Sequence, residues 1–229
     1  DVFRIASHCT EADITERHIR FCKTQGKTVF GVLMMSHMAN KVILADEARK
    51  MQDYGAEAII LMDSSGNYLP KDVEEKVSFL KKHLRVSIGF HAHNNLGLGF
   101  SNTMLAMESG VDYVDGSITG MGRGSGNMKL EQLLMYLDYD CSEIFDLINR
   151  RFDKLKGKYQ WGYKFNYMLA GMKEIHPGYY EKLKSKGLSE SKIYSILNNI
   201  KTKNIFDESE IKNIKEKKES VIIPARYKS

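Results

Sequence analysis

Along the first 118 residues, short apolar runs alternate with segments whose apolar residues recur every three or four positions. The runs VFRIASH (2–8), TVFGVLMM (28–35), AEAIILMD (56–63), VSIGFHAH (86–93) and VDYVDGSI (111–118) have the length and β-branched character of strands. Between and after them, ADITERHIRFCKTQG, NKVILADEARKMQDYG, PKDVEEKVSFLKKH and LGFSNTMLAMESG carry a helical period, and three of these four run into a terminal glycine of the kind that closes helices. A fifth periodic segment, NMKLEQLLMYL, follows the last strand. Repeated βα units predict an α/β fold with a parallel sheet under helical cover.

Five units fit either a doubly wound sheet or part of an eight-stranded barrel, and the strand ends separate the two. The runs close on His8, on Ser36 and His37, on Asp63, on His91 and His93, and on Asp115 and Ser117. A barrel opens every strand end onto one shared mouth, where its chemistry sits, whereas a doubly wound sheet needs such residues only beside its switch point. The expectation is therefore a (β/α)8 TIM barrel present in part.

The stretch GFHAHNNLG (89–97) holds the most specific chemistry. Side chains on a strand alternate faces, so Val86, Ile88, Phe90 and Ala92 are expected to face the helices, and Ser87, Gly89, His91 and His93 the barrel interior. Two imidazoles on one face lie within about 7 Å by strand rise and can reach one ion. The pair is read as metal ligands rather than as two separately satisfied histidines.

Composition narrows the functional classes. With 42% apolar and 28% charged residues, the 229-residue chain reads as a soluble globular protein with a sizeable core. No stretch reaches the roughly 18 apolar residues of a membrane span, and no secretory pattern opens the chain, so a cytoplasmic location without membrane partners is expected. Three cysteines without CxxC spacing predict reduced thiols. The net charge of +5 divides into −4 over residues 1–150 and +9 over residues 151–229. In EIKNIKEKKE (210–219), however, the lysines are interleaved with glutamates, as on a solvated helix face, and nucleic acid is not expected as a partner.

RIASHCTEAD (4–13), GVLMMSHM (31–38), GFHAHNNLGLG (89–99) and GMGRGSGN (120–127) resemble successive strand ends of the 4-hydroxy-2-oxovalerate aldolase family, within the metal-dependent superfamily of hydroxymethylglutaryl-CoA lyase and isopropylmalate synthase. The resemblance covers about residues 1 to 175. It implies that the five units correspond to strands four to eight of the barrel. It also implies that His91 and His93 hold Mn²⁺ or Mg²⁺, which chelates a small 2-oxo acid while a carbon–carbon bond is made or broken. The family's Arg-Asp pair and its base sit on the barrel's first strand and have no counterpart here, so residues 1–229 alone are expected to be inactive. Claisen-type acyl transfer from acyl-CoA, or a catalytically dead barrel kept as a scaffold, are the alternative readings.

Other positions carry over with a structural alternative beside each. Asn127 is placed near the metal by the resemblance, and can equally cap the helix that follows. Tyr163 matches a tyrosine over the active site, with Tyr167 one turn on, while Trp161, Tyr163, Phe165 and Tyr167 also read as packing. His37 and Asp63 face the mouth by position, as substrate-binding or merely supporting groups. Arg123 is a candidate for a substrate carboxylate or phosphate, or an idle loop charge. The glycines at 120, 122, 124 and 126 lack dinucleotide spacing.

The expected organisation is a partial barrel at 1–140, a helical region at 141–205, a charged linker at 206–219 and the start of a second domain at 220–229. That last stretch, SVIIPARYKS, resembles the opening strand of the acylneuraminate and 3-deoxy-manno-octulosonate cytidylyltransferases. A fused nucleotidyltransferase, and with it a longer keto-sugar acid as substrate, is expected on that ground. A homodimer is left open.

Overall fold

The computed structural model describes residues 1–176, 178–201, 206–212 and 214; the cytidylyltransferase-like SVIIPARYKS and residues 213 and 215–219 of the charged linker lie outside the described residues. Five parallel strands, β1 (Val2–His8), β2 (Thr28–Met34), β3 (Ala58–Asp63), β4 (Ser87–Ala92) and β5 (Tyr113–Asp115), pair in chain order. Between them run α1 (Glu16–Thr24), α2 (Lys41–Tyr54), α3 (Pro70–His83) and α4 (Gly99–Glu108), and α5 (Leu130–Tyr136) follows. This is the βα repeat that the periodicity predicts, with β5 shorter than the eight-residue run suggested.

Local chemistry sets the helix limits. The Asn40 side chain accepts from the backbone N–H groups of Val42 and Ile43 at 2.9 and 3.1 Å and starts α2. Pro70 opens α3, where Asp72 accepts from the Leu69 N–H at 2.9 Å. The expected terminal glycines, Gly26, Gly55 and Gly110, all adopt positive φ, as glycine alone does without strain.

The two faces of the sheet differ. On the outer face Val29, Leu33, Ile59, Leu61, Ile88 and Phe90 are buried against Leu44, Ala48 and Met51 of α2 and Val73, Val77 and Leu80 of α3. On the inner face register aligns Arg4, Phe30, Ala58 and Ser87 in one row and Met62, His91 and Asp115 in another. The sheet curls strongly about this face: Arg4 on one edge strand donates to Asp115 on the other at 2.7 Å, and the Phe30 and Tyr113 rings lie 4.8 Å apart. Tight closure leaves no room at Gly89, where a Cβ would meet Ile60 Cδ1 at 2.3 Å. The result is an arc of a TIM barrel, with the inner face concave.

Residues 142–159 are helical throughout, as α6 (Ser142–Leu147), a π-helical segment (Ile148–Phe152) and α7 (Asp153–Tyr159), and carry the exposed Phe145 and Tyr159. Then α8 (Phe165–Met172), α9 (Gly178–Ser185), α10 (Glu190–Leu197) and α11 (Ser209–Lys212) enclose a second apolar cluster, which includes Leu169, Tyr179, Leu183, Ile193 and Ile211. This cluster docks on the barrel through Trp161 Nε1, which donates to the Thr119 carbonyl, and Asn95 Nδ2, which donates to the Tyr167 carbonyl, both at 3.1 Å. Among the described residues no helix is long and apolar enough to cross a membrane. All three cysteines are free thiols, Cys9 buried and the other two half-buried.

Candidate metal and substrate site

Strand β4 carries the two imidazoles out of the sheet on the inner face, as parity predicts, with ring centroids 5.2 Å apart. His91 Nδ1 donates to Asp115 Oδ2 at 3.0 Å, which fixes the tautomer and leaves Nε2 as its available lone pair. The same Asp115 oxygen accepts from Arg4. Burial would raise the Asp115 pKa, but the bonds from His91 and Arg4 outweigh it and hold the carboxyl below its ordinary value. Burial, then the charges of His91 and Arg123, push His93 down to about 3. Its ring is therefore neutral and able to ligate at ordinary pH.

The loop after β5 brings a third group to the pair. Gly126 O accepts from Asn94 N, Met128 N donates to the Ala92 carbonyl, and Asn127 pairs with His93 in an isolated antiparallel bridge. The loop closes on itself so tightly that a Cβ at Gly126 would stand 2.1 Å from the Gly120 carbonyl oxygen. These glycines thus serve close packing around Asn127. The Asn127 amide nitrogen donates to the Met121 carbonyl at 3.1 Å and to Ser117 Oγ at 3.3 Å, while its Oδ1 is buried without a partner. An orphaned amide acceptor on a loop bridged to His93 is of the kind that can join imidazoles around a divalent cation. Asn127 does not cap the next helix: α5 starts at Leu130, with Lys129 in the capping position. Arg123 stands exposed on the same loop, and its charge is felt by His93, Tyr167 and His176.

Three other expected site residues lie apart from this group. Asp63 shares strand parity with Ile59 and Leu61, so it points to the helix side. It is fully buried and accepts from the N–H groups of Asn67 and Tyr68, both at 3.1 Å, which makes it a loop anchor. Burial pushes its carboxyl up to about 7 despite those bonds. His37 follows Met35, whose φ of 54° ends the strand alternation, and it lines a cleft with Tyr68 and Lys76. Both its ring nitrogens are buried without a partner, and burial first, then Lys76, His8 and His176, push it down to about 4. Tyr163 is 65% exposed in the segment before α8, with its hydroxyl on Met168 Sδ at 3.7 Å. Its neighbour Tyr167 is 7% exposed and packs on the glycine loop, 3.3 Å from where a Cβ of Gly124 would be.

Two features carry no distinct signal in the sequence. Asp115 reads there only as one more polar strand end, although β5 lies next to β4 and offers a carboxylate at the same height. The buried chain Lys76–Tyr68–Ser36, with Lys76 Nζ on Tyr68 Oη and the Ser36 carbonyl at 3.0 Å each, is visible only once α3 is packed against the end of β2. Among the described residues no three His, Cys, Asp or Glu side chains converge as a metal site. The fit to a cation therefore rests on two imidazoles and one amide.

A family model described as HMGL-like matches residues 6–146. A 4-hydroxy-2-oxovalerate aldolase of Spirochaeta aurantia is 60% identical over 138 residues, which are 60% of this chain and 40% of that protein. One from Pectobacterium atrosepticum is 54% identical over 134 residues, 58% of this chain and 39% of that protein. The chain thus spans about two fifths of the length of these curated relatives. Among solved structures, the N-terminal domain of a putative aldolase from Bacteroides vulgatus superposes with a TM-score of 0.74 at 33% identity, covering 85% of this chain and 66% of the other. The carboxyl transferase domain of Rhizobium etli pyruvate carboxylase, solved with pyruvate and biocytin, gives 0.70 at 17% identity over 86% and 36%, a likeness of fold.

Proposed function

The chain belongs to the HMGL-like family, and from that premise we propose that it forms the His-bearing part of a divalent-metal aldolase, which makes or breaks a carbon–carbon bond beside a 2-oxo acid. The observation that carries the proposal is the same-face imidazole pair, with His91 oriented by Asp115. The relatives' names, 4-hydroxy-2-oxovalerate aldolase, support the substrate class. His91, His93 and Asn127 Oδ1 would hold Mn²⁺ or Mg²⁺, which when bound supplies a Lewis acid worth several kcal/mol against the charge that develops on the 2-oxo acid.

The chain's own groups have separable tasks in this proposal. Asp115 presents His91 in one tautomer, and Arg4 keeps Asp115 ionised. Arg123 offers a guanidinium to a substrate carboxylate, where a bidentate contact fixes orientation. Tyr167, buried under the glycine loop, holds the helical region over the site, and Tyr163 acts on substrate only if its exposed ring swings inward. The family's Asp ligand, arginine and base, which the resemblance places on a strand with no counterpart among residues 1–229, are not among these groups, and on that ground this chain alone is expected to turn over no substrate. The test is pyruvate release from 4-hydroxy-2-oxo acids by the full-length protein. Release that stops on chelation and returns with Mn²⁺ is expected; release indifferent to chelation would contradict the proposal.

A further inference from the structure

A second cleft, which shares no lining residue with the His91–His93 site, lies where the barrel meets the helical region. It has a volume of about 290 Å³, at the small end of ligand cavities. Asn67, Asp72 and Lys76 line it from the barrel side together with Leu96, and Met172 and Glu174 from the end of α8 and the turn after it.

The cleft holds charges of both signs. Asp72 and Lys76 stand half-buried on α3, and Glu174 adds a second carboxylate at the exposed rim, where solvent screens it. His37 lines the cleft too and, pushed down to about 4 by burial, is neutral. An anionic ligand would meet both carboxylates. A cationic one would meet Lys76, whose pKa burial already lowers, so that a second positive charge beside it is costly. Neither sign is well served.

Hydrogen-bonding capacity selects more sharply. Asp72 Oδ2 accepts from the Leu69 N–H and leaves the second oxygen open, while Lys76 Nζ donates to the Ser36 carbonyl and Tyr68 Oη and keeps its third proton. Asn67 Oδ1 accepts from Ser65 Oγ at 2.7 Å, and among the described residues no bond engages its Nδ2. Acceptor and donors thus stand open side by side, and a hydroxyl answers either kind without bringing a charge. Leu96 and Met172 supply the apolar part of the lining, which suits the C–H face of a small ring.

We propose that this cleft binds a neutral cyclic polyol of monosaccharide size, its hydroxyls donating to Asp72 and accepting from Lys76 and Asn67, its C–H face on Leu96 and Met172. A ligand so placed ties α3 to the end of α8 and strengthens the docking of the helical region on the barrel. The inference is independent of the metal reading.

Calorimetric titration and thermal melting of the chain with D-glucose, D-galactose and D-mannose, which differ only in hydroxyl orientation, test it. Among the controls, cyclohexanol keeps the ring size with one hydroxyl, and L-lysine mirrors the two carboxylates and one ammonium of the cleft without any hydroxyl. D-glucosamine and D-glucuronate each add one charge to the sugar. Saturable binding of at least one hexose with a raised Tm is expected. Cyclohexanol and L-lysine should bind at least about tenfold more weakly than that hexose, because each leaves polar groups of the cleft unanswered, and neither charged sugar should bind more tightly than D-glucose. Asp72→Asn, which keeps an acceptor for the Leu69 N–H but replaces the open oxygen, should weaken the hexose about tenfold. No saturable binding of any hexose, cyclohexanol or L-lysine binding as tightly as the best hexose, a charged sugar binding more tightly than D-glucose, or undiminished hexose binding by Asp72→Asn would each overturn the proposal. The ligand series uses the unaltered chain, so it decides even where the variant fails to fold.

Discussion

The two faces of one sheet differ: the outer is apolar throughout β2, β3 and β4 up to Asp63, and the inner turns from apolar on β2 and β3 to polar on β4 and β5. Outward, β2, β3 and β4 present Val29, Leu33, Ile59, Leu61, Ile88 and Phe90 to the helices, all buried. Inward, β2 and β3 present the apolar Phe30, Val32, Ala58 and Ile60, while β4 presents Ser87, Gly89 and His91 and β5 adds Tyr113 and Asp115, in a concave surface where Met34 and Tyr113 are exposed. Because strand parity separates the faces residue by residue, the inner face of β4 and β5 can carry chemistry while the outer face serves cohesion alone. Polar groups that a packed core would penalise can therefore gather at one end of the inner face. The helical region is different again: its own cluster is separate from the sheet's, and it reaches the chemistry through the glycine loop.

This contrast can be broken from either side. The largest effect is expected at Phe90, where truncation to alanine opens a cavity in the outer core and should cost about 3–5 kcal/mol in denaturant unfolding. The fraction that remains folded should bind metal as before. Next comes acidification. His37 has a folded pKa of about 4, below the ordinary value of about 6.5, so the stability tied to its neutral form is present above pH 6.5 and lost as pH falls toward 4. His37→Gln should flatten that limb of the pH–stability curve without moving metal affinity; an unchanged curve would remove His37 from the buried set. On the inner face, Asp115→Asn should lower Mn²⁺ affinity about 10–100-fold through lost orientation of His91, with a much smaller change in stability. The smallest effect is expected at the α2 cap, where Asn40→Ala should cost about 1 kcal/mol and nothing in metal binding.

What the sequence shows and what it hides divide along the same physical lines. The period of two places His91 and His93 inward correctly, because β4 is regular through Ala92, and the periodic run 70–83 coincides with α3 from end to end. Asp63 misleads because it ends a strand, as the histidines do, but on the opposite parity, and nothing local says which parity faces the mouth. His37 misleads because the alternation stops at Met35 in the left-handed region, a backbone event with no glycine to announce it. Trp161, Tyr163, Phe165 and Tyr167 repeat one chemical pattern, yet the first and last are buried and the middle two exposed, since only the docked geometry of α8 separates them. Asp115 and the orphaned Asn127 oxygen depend on contacts between segments distant in sequence, which periodicity does not report.

Whether the inner-face imidazoles bind a divalent cation is decided by calorimetric Mn²⁺ titration of the full-length protein beside its His91→Ala and His93→Ala variants. One site is expected in the unaltered protein and, in each variant, an affinity reduced beyond the roughly 10–100-fold attributed to lost orientation alone, with the fold retained. Stoichiometric Mn²⁺ binding of undiminished affinity in both variants would contradict a ligand role for the pair.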